Sequence, residues 1–215
     1  MGYAGLPFDA NVFVDFKTRC DTFADPEDIC FTRHKGDIVI YADDDDYHEN
    51  PITAGTIRAL VVNFAEGVDA GCPLSEIFDF EEGLDALYDA LTELDGNNFK
   101  GSLFEGYGFG NWSSLLIIER VEIKPEHRGR GLGLLACETT CRHIGSGCDM
   151  AAIQVCPLQF ESSYRNGKGT DSERLALKGF SSNEAAATER LKSHYMMMGF
   201  KELTSNIIVR SPNPF

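Results

Sequence analysis

No apolar run in this chain approaches the roughly 18 residues that a membrane-crossing helix needs, and no charged segment followed by an apolar stretch opens it in the manner of a secretory leader. The expectation is a soluble protein with no membrane partner. Cations are scarce: 19 Lys and Arg stand against 34 Asp and Glu, a formal charge of -15. Such a field repels polyanions, which argues against nucleic acid as a partner and favours cationic or neutral ligands. Metal-ligand spacing is missing as well. Cys137, Cys141 and His143 lie close together, but no CxxC pair accompanies them, so no metal is expected. "DDDDYHENP" (43–51) lacks the central Gly and terminal Glu of a calcium-binding EF-hand loop and reads as a solvated hairpin connector. The seven cysteines are odd in number and scattered, which with the missing leader points to a reducing, cytoplasmic location.

What is present suffices for one domain over 1–215, since 215 residues with 43% apolar content can bury a sizeable core. "GDIVIYA" (36–42) and "AGTIRALVVNF" (54–64) have the β-branched density of strands. From 73 to 95, Leu84, Leu87, Tyr88 and Leu91 recur at spacings of three and four, which predicts an amphipathic helix stopped by Gly96. The glycine-rich 96–112 segment holds Gly106, Gly108 and Gly110 ahead of a strand, the wrong order for a dinucleotide fingerprint, and reads as a loop. Trp112 at its end reads as a packing residue or a pocket wall. "SLLIIERVEI" (114–123) then forms a strand buried on both faces and ended by Pro125. "GLGLLACETTCRHIG" puts Leu134, Cys137, Cys141 and Ile144 on one helical stripe, and "MAAIQVCPL" (150–158) is a second buried strand. Strand, helix and strand make a βαβ unit with parallel strands, hence an α/β fold.

At the first junction of that unit lies "EIKPEHRGRGLG" (122–133), a basic, glycine-rich turn in an acidic protein. A helix N-terminus leaves backbone N–H groups unpaired and carries partial positive charge, so it binds phosphate where side chains do not obstruct approach. Gly129, Gly131 and Gly133 remove the obstruction, and Arg128 and Arg130 supply local charge. The turn reads as an anion cradle. No Gly-Lys-Ser/Thr closes it, so it is not a P-loop.

With Arg128, Gly131 and Gly133 in the order Arg-x-x-Gly-x-Gly, the turn resembles the acyl-CoA-binding motif of the GNAT superfamily of N-acetyltransferases. A second signature agrees: in "LKSHYMMMGFKEL", Tyr195 stands four residues before Gly199 and Phe200, similar to the family's Tyr-x-x-x-Gly-Phe. The resemblance covers about 114–209, with 1–113 left as the substrate-side half. It implies a mixed central sheet with splayed parallel strands flanked by helices, and acetyl-CoA as co-substrate. Val121 and Ile123 would offer backbone hydrogen bonds to the pantetheine arm, and the N–H groups of Gly129, Arg130, Gly131, Leu132 and Gly133 would hold the pyrophosphate.

The resemblance also implies roles at the reacting centre. Tyr195, on a helix that Ser181 and Glu184 would open with capping-box spacing, would protonate the departing thiolate. Ala187, Leu191, Tyr195 and Met198 share that helix's apolar stripe, so packing is the competing role for the tyrosine. His127, His143 and His194 read as surface or capping residues, and Met196, Met197 and Met198 as packing residues. Glu119 would deprotonate the acceptor, whereas Glu122, at opposite parity on the same strand, would face away. The acceptor is expected to be a primary amine of a small molecule or peptide. Another acyl-CoA donor, or a non-catalytic acyl-CoA-binding sensor, is the alternative. Oligomeric state stays open, a homodimer included.

Overall fold

The computed structural model describes residues 11–20, 29–41, 51–81, 83–94, 96, 98–103, 113–160 and 175–212. It is an α/β protein built on one seven-stranded mixed sheet. The strands are β1 (Asn11–Cys20), β2 (Phe31–Tyr41), β3 (Ile52–Asn63), β4 (Ser114–Ile123), β5 (Met150–Gln154), β6 (Lys201–Glu202) and β7 (Ile207–Arg210). Their order is β1-β2-β3-β4-β5-β7-β6, and β4 with β5 is the parallel pair. Three short helices, α1 (Phe64–Asp69), α2 (Leu74–Asp79) and α3 (Asp85–Leu91), follow β3, while α4 (Leu132–His143) and α5 (Glu184–Met196) flank β5 in sequence.

β4 shows why the core has two layers. Leu115 and Ile117 pack into one cluster with Leu60, Val62, Phe64, Ile77 and Leu87, whereas Leu116 and Ile118 pack into another with Ala59, Leu132, Cys137, Ala151 and Ile153. A strand covered by helices on both sides must be apolar on both sides, which is what "SLLII" supplies. Burial of Leu87 and Leu91, and of Leu134, Cys137 and Cys141, follows the helical stripes expected from spacing. Arg210 then fastens the two helices beside the site. Buried on β7, it donates to the Met198 carbonyl at 2.6 Å and pairs with Glu138 of α4 at 2.9 Å, with the Phe200 ring 5.1 Å below its guanidinium.

Several elements differ from the sequence expectation. The single helix over 73–95 is two helices, α2 and α3, separated at Gly83, whose φ of 92° is one that only glycine adopts without strain. The break lets Ile77 and Phe78 as well as Leu84, Leu87 and Leu91 reach one core. β1 has no counterpart in the sequence reading; only Val12, Val14 and Phe16 pack, and the alternating residues are polar or exposed, as on an edge strand. β5 ends at Gln154 rather than near 158, although Val155 still bonds to Asn206. Met196 and Met197 are exposed, and only Met198 packs. The 43–50 loop, Gly106, Gly108, Gly110 and Trp112 lie outside the described residues.

At the start of α5 the cap is Asn183, not Ser181: the Asn183 side chain accepts from Ala186 N at 3.0 Å, and Ser181 Oγ accepts from Asn183 N at 3.1 Å. Loss of an Asn cap costs about 1 kcal/mol. Asn183→Ala is therefore expected to lower unfolding free energy by about that amount in a urea titration, with Ser181→Ala costing less; the reverse ranking would return the cap to Ser181. Among the described residues no helix is long and apolar enough to cross a membrane.

Candidate functional site

The site begins where a ladder stops. β4 and β5 pair only through Leu115–Met150, Leu116–Ala151 and Ile117–Ala152, after which β5 follows β7 and the β5-side edge of β4 is released while β3 stays paired on the other. Beyond that point the two strands form opposite walls of a cleft of about 640 Å³, with Ile118 to Val121 and Ile123 on one side and Ile153 to Gln159 on the other. Residues of α5 and the segment before it close the cleft. Separation of neighbouring parallel strands exposes backbone polar groups that need a partner, and a bound chain can provide one.

The β4 wall carries a bulge. Arg58 of β3 pairs with Arg120 but Ala59 pairs with Ile118, so Glu119 is the extra residue. The alternation changes phase there: Leu116 and Ile118 pack with the second cluster before the bulge, Val121 and Ile123 after it. This corrects the parity argument. Glu119 and Glu122 share one face, on which Glu122 is buried against Arg120 at 3.5 Å and Glu119 stays open to the cleft. Burial of its surroundings pushes the Glu119 carboxyl up, opposed by Arg58, Arg33 and Arg120 and reinforced by Glu81. A carboxylate raised in this way is a stronger base than a solvated one. Bulges occur beside active sites because they re-aim a side chain, as here.

At the cleft's end the turn before α4 has the geometry of a cradle. Gly129 and Gly131 have φ of 74° and 76°, and Gly131 is the N-terminal flanking residue of α4 with no side-chain cap. Among the described residues no acceptor takes the N–H groups of Gly129, Arg130, Gly131, Leu132 or Gly133. A Cβ at Gly133 would meet nothing closer than Val121 at 3.7 Å, so the approach is open. Leu132 is buried and anchors the turn in the second cluster.

Arg128 lines the cleft with its guanidinium engaged by the protein. Its Nε donates to the Ile123 carbonyl at 2.9 Å and an Nη donates to the Leu175 carbonyl at 2.6 Å, with the Phe180 ring 4.9 Å away. Burial lowers its pKa. Much of its hydrogen-bonding capacity is spent tying the turn to the segment before α5, and it occupies the carbonyl that Ile123 would otherwise turn to a ligand. Sequence alone gives no sign of this, because Leu175 is 47 residues away.

Tyr195 lines the cleft from α5, its ring 6.4 Å from Phe200. No described residue hydrogen-bonds its hydroxyl. Burial, and next the Cys137 thiol, push its pKa up, so the phenol is protonated throughout the physiological range. His194 is exposed, as expected, and also lines the cleft; burial and then the Arg190 charge lower its pKa. Arg190 of α5 lines it too, as do Leu177 and Phe180, which the sequence reading missed because the stretch before α5 has no periodic signal.

Among the described residues no three His, Cys, Asp or Glu side chains could hold an ion together. Cys137 and Cys141 are buried, and burial raises both thiols, Cys141 to about 11, as packing residues require. A shallower hollow of about 450 Å³ near Asn63, Ser113 and Cys148 contains none of the candidate residues. Comparison with protein-family models, with curated proteins and with solved structures finds no match, so the chemistry of this cleft is argued from its own geometry.

Proposed function

We propose that this protein has a GNAT-like fold and transfers an acetyl group from acetyl-CoA to an amine. The observation that carries the reading is the parallel pair that parts after three residues and opens onto an uncapped, glycine-rich helix N-terminus. A pantetheine arm laid along β4 would bond to its released backbone, and the pyrophosphate would reach the N–H groups from Gly129 to Gly133. The thioester would then lie between Glu119 on β4 and Tyr195 on α5, which enter the cleft from opposite walls.

The reaction needs no covalent enzyme intermediate. The neutral amine attacks the thioester carbonyl, a C–N bond forms, the C–S bond breaks, and the electron pair leaves on sulfur. The proton lost by nitrogen goes to Glu119 directly or through a water, and the thiolate receives a proton from the Tyr195 hydroxyl. Burial raises the phenol's pKa, so Tyr195 keeps its proton until a thiolate forms beside it.

The reading is tested by calorimetric titration of acetyl-CoA together with CoA release across acidic, neutral and cationic amines. Binding with turnover is the expected result. Absence of acetyl-CoA binding would overturn the proposal, and tight binding with no turnover on any amine would make the protein a sensor. Tyr195→Phe keeps the ring and removes the hydroxyl, so kcat is expected to fall about a hundredfold with acetyl-CoA affinity unchanged. Full turnover in this variant would leave Tyr195 with packing alone.

A further inference from the structure

Strand register places four cations in one line. Lys17 of β1 pairs with Lys35 of β2, Lys35 with Arg58 of β3, and Arg58 with Arg120 of β4. All four project from the face opposite the second cluster, since their neighbours Phe16, Gly36, Ile57 and Val121 point toward it. Strands lie about 4.8 Å apart, so the row is roughly 14 Å long. It ends at the bulge, beside Glu119 and the cleft.

Like charges directly opposite one another destabilise a sheet, and among the described residues Arg120 alone of this row has an ion-pair partner. The next row along the strands is acidic, with Asp15, Asp37 and Glu122, yet only Arg120 is drawn into an ion pair with it. Among the described residues, Lys17, Lys35 and Arg58 are exposed and make no hydrogen bond or ion pair, while Arg33, one step away, is bound to Glu81. Arg58 is the strongest of the cations acting on Glu119. The protein's net charge is -15, but salt screens that field over about 8 Å, whereas a bound substrate touches the row directly. Local charge therefore outweighs the total.

We propose that the acceptor is an amine that also carries carboxylate groups, held by Arg58 with Lys35 and Lys17 behind it while its amine reaches Glu119. This rests on the transferase reading, and it reverses the preference for cationic acceptors that composition alone suggests. A single carboxylate next to the amine engages Arg58; an acidic peptide, at about 3.3 Å per residue, spans the row in four or five residues.

The test compares free glutamate, a pentapeptide with acidic residues after its free N-terminus, a lysine-rich pentapeptide and spermidine as acceptors. A second measurement titrates the acidic pentapeptide, labelled at its C-terminus, against the protein without acetyl-CoA. Acidic acceptors are expected to have the highest kcat/KM, and Arg58→Ala to raise their KM tenfold to a hundredfold. Lys17→Ala should weaken the peptide and not glutamate, which separates the two sources of carboxylate. Preference for spermidine or the lysine-rich peptide, or an Arg58→Ala variant with wild-type KM and peptide affinity, would overturn the inference and leave the transferase standing. Arg58-dependent peptide binding in a protein that neither binds nor turns over acetyl-CoA would preserve the row and remove the transferase.

Discussion

Gly131→Asp is expected to reduce acetyl-CoA affinity about a thousandfold in a protein that still folds. Gly131 has φ 76° and ψ 4°, at the point where the chain enters α4 without a side-chain cap. A non-glycine residue there costs about 1–2 kcal/mol, with Asp and Asn among the best tolerated. The new carboxylate would sit among the unpartnered N–H groups and accept from them, taking the donors that a pyrophosphate needs. Each charge-assisted hydrogen bond lost is worth about 1.5–3 kcal/mol, and the added negative charge repels the phosphates besides. A thousandfold is about 4.1 kcal/mol, within reach of those terms together. Gly131→Asn imposes the same backbone strain without the charge, so its affinity should fall less. Calorimetry on both variants, with thermal melts to verify folding, decides the matter. Wild-type affinity in a folded Gly131→Asp protein would remove the cradle.

Legibility in the sequence followed how local each cause is. β4 runs over 114–123 as expected because a continuous apolar run bounded by Ser113 and Pro125 has one way to be buried. The turn before α4 was legible because glycines mark a backbone that side chains would obstruct, and Gly129 and Gly131 do take left-handed conformations. The bulge at Glu119 was not, because nothing in "IERVE" shows that β3 pairs Arg58 with Arg120 and Ala59 with Ile118. Register is a property of two strands, and one extra residue reverses which face every later side chain meets. The same limit hid the row from Lys17 to Arg120, whose members are distant in sequence and neighbours only across the sheet. Arg128 shows another limit: its charge beside the glycines is legible, but not that its guanidinium bonds to the Ile123 and Leu175 carbonyls.

The bulge also sets up the sharpest contrast between two carboxylates on one face. Glu119→Gln is expected to lower kcat by between a hundredfold and ten thousandfold, the range for loss of a general base, with acetyl-CoA affinity kept. Activity should return as pH approaches the amine's own pKa, where free amine needs no base. Stability should move the other way. A carboxyl whose folded pKa is raised, as burial raises Glu119, holds its proton more tightly in the fold, so its contribution is full below the unfolded pKa and is lost as pH rises through the folded one. Glu119 is itself exposed at the cleft, so solvent screens most of this penalty, and Glu119→Gln should melt no lower than wild type. Glu122 is buried against Arg120, so Glu122→Gln removes a charge that the arginine needs and should melt lower while kcat changes little. Thermal melts and pH–rate profiles on the pair separate a base from a structural partner: loss of activity tracking loss of stability in both would show that the bulge aims neither carboxylate at chemistry.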